Sequence, residues 1–441
     1  MPRLSEPKIV DKESLYHGIV PQYIKLLNVL TSNYDVTEDH SLSDLVNFKQ
    51  NKEIPRHSWF SYKQGFSKEL VENIILKEKV SKKHYVLDPF SGVGTTNLVA
   101  SSLGYKSIGV DINPVATFAS FVKCKYYEQQ EVKRIEKLIK GAKFNVQSKK
   151  IPECSLLDVS YPKIVFEKLM FIKGFFESIK DNTVKSFFKL AYLSIIEDCS
   201  LRVKDGNGIK MVPNKKLIKN VYRYYLDKCE KMLAEINILS IEKEPIIING
   251  SLIIDNYYNH IKDKKVGIVI FSPPYANCFD YCEVYKLELW MGDFVKEYVD
   301  FKTYRRMALR SHVNSSFDHH IRNINRKVEV ITDLISCFNI WNKNIPDMIR
   351  GYFDDMTELF IRLKDVMVSG SKCYIVVANS GYKGVLVPTD LLFADIAHES
   401  GFKVQRIIKA RKIRASSQQM EELHNQYNNL MRESIVILEK K

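Results

Sequence analysis

A tetrapeptide, SPPY at residues 272–275, has the residue types needed to hold a planar ring that bears an amine. It follows the apolar run 266–271, and a strand that ends in two prolines stops pairing abruptly because neither proline has an N–H. The carbonyl oxygens of Ser272 and Pro273 are then free to accept hydrogen bonds from the amine, while Tyr275 offers an aromatic face for stacking. The candidate catalytic residues are Ser272, Pro273, Pro274 and Tyr275.

An upstream loop, DPFSGVGTT at residues 88–96, has the composition of a cofactor loop. Gly92 and Gly94 remove the side chains that would block a ligand from backbone N–H groups and a helix N-terminus. Asn97 stands where the dinucleotide fingerprint has its third glycine, and the loop lacks the Gly-Lys-Ser/Thr of a phosphate loop. These differences argue against NAD and ATP.

Acidic residues at two predicted strand ends favour a cationic cofactor that carries a ribose. Asp88 would repel a pyrophosphate but attract a sulfonium and an ammonium group, and Asp111 can accept hydrogen bonds from two ribose hydroxyls. Both features predict S-adenosyl-L-methionine, with helix or turn capping as the alternative role of the two carboxylates. The candidate cofactor-binding residues of these two strand ends and their loops are Asp88, Pro89, Phe90, Gly92, Gly94, Thr95, Thr96, Asp111, Ile112 and Asn113.

Alternating strand and helix patterns surround these motifs. Apolar runs separated by amphipathic segments predict an α/β, Rossmann-like fold with a mostly parallel, doubly wound sheet and helical insertions. The predicted strands are 85–90, 107–112, 245–250, 266–271, 372–378, 402–408 and 433–438. The predicted helices between them include 95–103, 354–368 and 388–400.

Interruptions of this alternation divide the chain into six segments. Residues 1–55 read as N-terminal helical decoration, 56–123 as the cofactor-binding half, and 124–243 as a helical insertion. Residues 244–275 carry the catalytic strand and SPPY, 276–350 form a basic and aromatic insertion, and 351–441 form the C-terminal half of the α/β domain. Phe279, Tyr281, Tyr285 and Trp290 in the second insertion could line a base pocket, although their helical spacing is more typical of core.

The charge distribution favours a polyanionic partner. Lysine plus arginine outnumber aspartate plus glutamate by 66 to 52, and basic residues cluster in 202–223, 304–327 and 402–420. One such cluster is typical of a solvated surface, but three beside a base-holding motif favour contact with a nucleic acid. The candidate DNA-binding residues are Arg305, Arg306, Arg310, Arg322, Arg411 and Arg414.

Composition limits the remaining classes. With 441 residues and 45% apolar content, the chain can bury a large core, and it contains neither a membrane-length apolar stretch nor a secretory signal pattern. We therefore expect a cytoplasmic protein without a membrane partner. Its eight cysteines are scattered, so we expect reduced thiols and no metal site.

The motifs together resemble the amino-methylating DNA methyltransferases of restriction-modification systems, which act on cytosine N4 or adenine N6. The resemblance covers roughly 56–122 and 245–440 and rests on residues 88–96, 109–114 and 272–275. It implies a Rossmann-like methyltransferase fold, an S-adenosylmethionine cofactor, double-stranded DNA as the partner, a flipped base, and a possible cognate restriction endonuclease. It also implies that residues 60–67, with Phe60 as a candidate cofactor-binding residue, bind the methionine end of the cofactor and that the Ser-rich segment 414–419 lies near the active-site rim. Either insertion could read the DNA sequence.

The serine of SPPY favours cytosine N4, because aspartate at this position within the family usually accompanies adenine N6. Adenine N6 remains an alternative, as do an RNA guanine-N2 methyltransferase and a catalytically silent DNA-binding subunit. Methylation of cytosine carbon 5 needs a nucleophilic cysteine, usually in a Pro-Cys dipeptide, which this chain lacks.

Overall fold

The computed structural model describes residues 12–62, 65–206, 208–315, 321–413 and 430–441. The strands in these ranges are β1 (Val36–Glu38), β2 (Tyr85–Asp88), β3 (Lys106–Asp111), β4 (Arg202–Asp205), β5 (Gly208–Met211), β6 (Ile246–Asn249), β7 (Val266–Phe271), β8 (Met367–Ala378), β9 (Ser380–Tyr382), β10 (Val385–Val387), β11 (Phe402–Lys412) and β12 (Arg432–Lys440). The helices in the first half are α1 (Lys12–Asn33), α2 (Lys68–Lys77), α3 (Thr95–Ser102), α4 (Pro114–Lys123), α5 (Gln129–Lys140), α6 (Ser155–Ser160), α7 (Lys163–Glu177), α8 (Asn182–Ile195) and α9 (Val221–Ile236). The helices that follow are α10 (Asp255–Tyr258), α11 (Tyr281–Val284), α12 (Lys286–Met291), α13 (Tyr298–Met307), α14 (Arg326–Ser336), α15 (Ile345–Val366) and α16 (Thr389–Glu399).

The central sheet has the order β1-β11-β12-β8-β7-β2-β3-β6. All neighbouring pairs are parallel except those of β12, which runs antiparallel to β8 and β11. The expected Rossmann-like, mostly parallel α/β fold is therefore confirmed. Because β12 runs against the others, its first residues lie at the same edge as the last residues of β2, β3, β7 and β11.

Both faces of the sheet are covered, as a doubly wound fold requires. Along β7, Val269 and Phe271 pack in one hydrophobic cluster with α15, whereas Ile268 and Ile270 pack in another with α2 and α3. This alternation follows from the two-residue period of a strand, and each fully buried side chain contributes roughly 1.5–3 kcal/mol.

The N-terminal segment contributes more than the helical decoration expected from its sequence. After α1, residues 36–38 form strand β1, which pairs in parallel with β11 at the edge of the sheet. The Tyr23 hydroxyl on α1 donates to the Leu386 carbonyl (3.1 Å) and accepts from the Leu386 N–H (2.8 Å). Long-range pairing therefore joins this segment to the C-terminal half of the domain.

The two insertions share one hydrophobic cluster. Helices α7, α8 and α9 of the first insertion pack with Tyr285, Leu289 and Trp290 of the second. Lys204, on the β4–β5 hairpin of the first insertion, forms a buried ion pair with Glu288 of the second. Within the described residues, none of the helices could span a lipid bilayer.

Candidate active site

A cavity of about 290 Å³ lies at the edge where β2, β3 and β7 end. The glycine loop and the SPPY tetrapeptide, far apart in sequence, both line it. Its lining includes Asp88, Pro89, Phe90, Gly92, Thr95, Asp111, Ile112, Asn113, Ser272, Pro274 and Tyr275. Gly94, Thr96 and Pro273 lie behind this lining, in buried positions.

Asp88 is the last residue of β2 and is only 2% exposed. Its carboxylate accepts hydrogen bonds from the Thr96 hydroxyl (2.6 Å) and the Phe90 N–H (3.0 Å). Burial nevertheless raises the pKa of Asp88 to about 7, because these two neutral donors only partly replace lost hydration. A cationic ligand in the cavity would favour the ionised form.

Asp111 ends β3 beside the same loop. One carboxylate oxygen accepts the Gly92 N–H (2.8 Å) and the other accepts the Asn113 N–H (2.8 Å). Burial raises the pKa of Asp111 to about 6. Each oxygen keeps a lone pair that can accept a further hydrogen bond from a ligand hydroxyl.

Glycine is required at both loop positions for different reasons. Gly94 has a φ of 81° and begins α3, and a Cβ there would lie 2.1 Å from the Ser120 hydroxyl oxygen. Gly92 has a φ of 49°, and a Cβ there would lie 3.1 Å from the Tyr62 ring. The loop therefore brings its backbone close to neighbouring groups that any side chain would displace.

The SPPY tetrapeptide begins directly after β7. The Tyr275 side chain is held by residues of β12 and β11, which lie beyond β8 in the same sheet. Its hydroxyl donates to Oε1 of Glu433 on β12 (2.6 Å), and Oε2 of Glu433 accepts from Nε of Arg411 on β11 (2.5 Å). Burial and the Glu433 charge hold the pKa of Tyr275 well above its ordinary value, so the hydroxyl stays protonated.

The segment before β2 reaches the cavity through residues other than the one predicted. Phe60 is 3% exposed, packs against Tyr285 in the insertion cluster, and lies outside the cavity lining. The cofactor contact of Phe60 stays a prediction, and its ring packs in the hydrophobic cluster beside the cavity. Tyr62 and Phe66 line the cavity instead, and the Tyr62 ring stacks on Tyr285 at 4.8 Å.

The aromatic residues after Tyr275 divide between cavity and core. Tyr281 lines the cavity and stacks on Tyr62 at 6.0 Å, whereas Phe279, Tyr285 and Trp290 are buried in the insertion cluster. Most of this stripe is therefore core, which is the usual role of aromatic residues at helical spacing.

The predicted DNA-contacting arginines differ in their environments. Arg310 is 7% exposed and its guanidinium binds Asp354 (2.7 Å) and Asp355 (2.5 Å), so it is engaged within the protein and its DNA contact stays a prediction. Arg305 is largely neutralised by Asp280 (2.9 Å) and Glu283 (2.5 Å). Arg306 and Arg322 are exposed, and Arg411 lines the cavity. Arg414 and the Ser-rich segment 414–419 lie outside the described residues.

Three polar residues that line the cavity belong to none of the motifs found in the sequence. Glu433 is 4% exposed, Asp280 is 3% exposed, and burial lowers the pKa of the cavity-lining His312 so that its ring is neutral. The order Asp280-Tyr281 shortly after SPPY could have drawn attention to Asp280. Glu433 begins an apolar strand, and only the antiparallel placement of β12 brings it to the site.

Comparison with known proteins gives concordant matches. A family profile described as DNA methylase, of the N6/N4 methyltransferase group, matches residues 11–148. The chain is 32% identical to the type II methyltransferase M.BsoBI of Geobacillus stearothermophilus, over 90% of this chain and 88% of that protein. It is 26% identical to the type II methyltransferase M.AvaI of Nostoc sp., over 82% of each chain, and 22% identical to M.MvaI of Kocuria varians, over 75% of this chain and 77% of that protein.

Proposed function

Because the chain belongs to the amino-methylating type II DNA methyltransferases of restriction-modification systems, we propose that it methylates the exocyclic N4 amine of cytosine in double-stranded DNA. The methyl donor is S-adenosyl-L-methionine, the cofactor that such methyltransferases generally use. The observation that carries the proposal is the meeting of the glycine loop and the uncharged SPPY tetrapeptide in one cavity.

The cavity residues fit this cofactor. Asp88 offers a buried carboxylate to positive charge, and Asp111 keeps acceptor capacity for ribose hydroxyls. The Asn113 side-chain amide nitrogen is buried next to the Tyr62 hydroxyl and is a further donor beside the cofactor loop. When bound, the cofactor supplies an electrophilic methyl group on a sulfonium.

SPPY prepares the base amine for attack. An exocyclic amine is a poor nucleophile because its lone pair is delocalised into the heterocycle. Hydrogen bonds from the amine to Ser272 and to the Pro273 carbonyl favour a more tetrahedral nitrogen, whose lone pair can attack the methyl group. Tyr275 stacks on the ring and holds the amine in line, so positioning supplies much of the rate.

An uncharged Ser272 supports cytosine over adenine. With serine at residue 272, the basic ring nitrogen beside the cytosine amine does not face a carboxylate. The nearby Glu433 carboxylate already accepts from Tyr275 and Arg411, so it is engaged by protein donors. The base must leave the duplex to reach the cavity, which costs a few kcal/mol that the pocket contacts offset.

DNA contacts outside the cavity are assigned to the exposed arginines. Arg306 and Arg322, in the second insertion, lack side-chain partners among the described residues and can bind phosphates. Either of the two insertions could read the DNA sequence. A cognate endonuclease would cut the same DNA site in its unmethylated form.

The proposal is tested by expressing the protein in a host without DNA methylation and sequencing host DNA by methylation-sensitive long reads. N4-methylcytosine in one short motif is expected, and its loss in a Tyr275→Ala strain provides the control. Adenine methylation would refute the choice of base, and unmodified DNA would refute methyl transfer itself.

A further inference from the structure

Tyr275, Glu433 and Arg411 form a hydrogen-bonded triad at the cavity. The tyrosine hydroxyl donates to one carboxylate oxygen of Glu433 (2.6 Å), and the Arg411 Nε–H donates to the other (2.5 Å). The three residues come from three separate parts of the chain: the turn after β7, the first residues of β12, and the end of β11. Each carboxylate oxygen therefore has its own charged or polar donor.

The strand register fixes Glu433 at this point. Glu433 pairs with Arg411 on one side and with Ala378 on the other, so its backbone is held in the middle of the sheet. Its side chain is 5% exposed, and a buried carboxylate is tolerated only when donors replace its hydration. The triad therefore has little freedom to rearrange.

Arg411 uses only part of its hydrogen-bonding capacity in this triad. Among the described residues, its side chain bonds only to Glu433, and only through Nε. The side chain is 33% exposed and lines the cavity, so its terminal nitrogens can still bind an anion. A guanidinium held through Nε presents those two terminal nitrogens as a fork that fits two phosphate oxygens.

We propose that Glu433 is a positioning residue that joins the base platform, Tyr275, to an arginine that binds the backbone phosphate of the extruded nucleotide. This inference rests on the proposed function. Glu433 fixes the rotation of the Tyr275 ring through the hydroxyl and orients the Arg411 fork through Nε. Phosphate binding and base stacking are then set by one buried carboxylate.

Single substitutions should separate the two arms of the triad. Tyr275→Phe keeps the aromatic ring but removes the hydrogen bond from the hydroxyl to Glu433. It should therefore lower the single-turnover rate about tenfold with little change in DNA affinity. Glu433→Gln can still accept from the Tyr275 hydroxyl, but its amide group opposes the Arg411 Nε–H. It should therefore weaken DNA binding several-fold with a smaller change in rate. Glu433→Leu removes both ties and should do both.

The decisive measurement is a double-mutant cycle of single-turnover methyl-transfer rates on an unmethylated duplex that carries the recognition motif found by sequencing host DNA. If the Tyr275 hydroxyl acts through Glu433, Tyr275→Phe costs about tenfold in the wild-type background but less than about twofold in the Glu433→Leu background. Cofactor affinity and the thermal melting curve are recorded for each variant, and Glu433→Ala, which also removes the acceptor of the Tyr275 hydroxyl, replaces Glu433→Leu if that variant does not fold.

The chain offers a matched control far from the cavity. Glu78 accepts the Tyr374 hydroxyl and pairs with Lys372 (2.8 Å), a similar triad on β8 whose three residues are not part of the cavity lining. Glu78→Gln should leave both the methyl-transfer rate and DNA affinity within about twofold of the wild type.

The outcomes distinguish the two proposals. Independent, multiplicative effects of Tyr275→Phe and Glu433→Leu, or equal effects of Glu433→Gln and Glu78→Gln, would overturn the positioning role while methyl transfer by the wild type stands. A wild-type protein that leaves the duplex unmethylated would overturn both.

Discussion

Acidification from pH 8 to pH 6 should weaken the binding of S-adenosyl-L-methionine because Asp88 becomes protonated. Burial raises the pKa of this carboxyl from 3.8 to about 7 in the cofactor-free protein. The cationic cofactor favours the carboxylate, so binding below pH 7 must displace a proton from Asp88. The expected direction is therefore a loss of affinity as the pH falls.

The size of this effect follows from the shifted pKa. With a pKa of about 7, roughly nine-tenths of the Asp88 side chains are ionised at pH 8 and roughly one-tenth at pH 6. The dissociation constant should thus rise about tenfold over this range. Asp111, whose pKa is about 6, is half ionised at pH 6 and adds at most about another factor of two.

The assay is isothermal titration calorimetry of the cofactor against the wild type and Asp88→Asn at both pH values. Titration of the cofactor's own amino group is common to both proteins, so it cancels when their pH ratios are compared. Asp88→Asn should bind the cofactor more weakly than the wild type at pH 8. The ratio of its dissociation constants at pH 6 and pH 8 should be about tenfold smaller than the wild-type ratio.

An equal pH dependence in the two proteins would refute this reasoning. It would show either that Asp88 is ionised throughout the range or that the bound cation does not interact with it. S-adenosylhomocysteine, which lacks the sulfonium charge, should show a smaller pH dependence than the cofactor.

Three further substitutions test separate parts of the site. Asp111→Ala should weaken cofactor binding at least tenfold while DNA binding in a gel-shift assay changes little, and unchanged cofactor affinity would contradict its ribose role. Tyr275→Ala should lose most turnover in a radiolabelled methyl-transfer assay while cofactor binding survives, and equal loss of both would contradict a role in holding the base. Arg310→Ala should lower the free energy of unfolding in urea by about 3–5 kcal/mol, because it leaves Asp354 and Asp355 buried without their partner. A change below about 1 kcal/mol would show that this ion pair is dispensable.

The parts of the site that the sequence predicted are those that depend on local chemistry. Prolines end β7 at Phe271 because they cannot donate to a sheet, and Gly94 supplies the positive φ with which α3 begins. The apolar runs predicted seven of the eight strands of the sheet to within about five residues, since a buried strand needs a continuous apolar pattern, whereas the short edge strand β1 was missed. Asp88 and Asp111 then reach the cavity because parallel strands end at one edge.

The residues whose surroundings the sequence did not predict are those that contact a distant segment of the chain. Phe60 has the right position in the chain, but the insertion cluster buries it against Tyr285. Arg310 belongs to a basic run, yet Asp354 and Asp355 of α15, more than forty positions later, neutralise it. A charge pattern in sequence does not reveal which charges are already paired.

The sequence by itself determined the fold class, the cofactor loop and the amine-holding turn, because each is encoded in residues close together in the chain. Only the tertiary structure decided which groups complete the site. Glu433 meets the Tyr275 hydroxyl across a sequence separation of 158 residues because β12 enters the sheet antiparallel. Contacts of this kind depend on strand order and direction, which arise from the packing of the whole sheet.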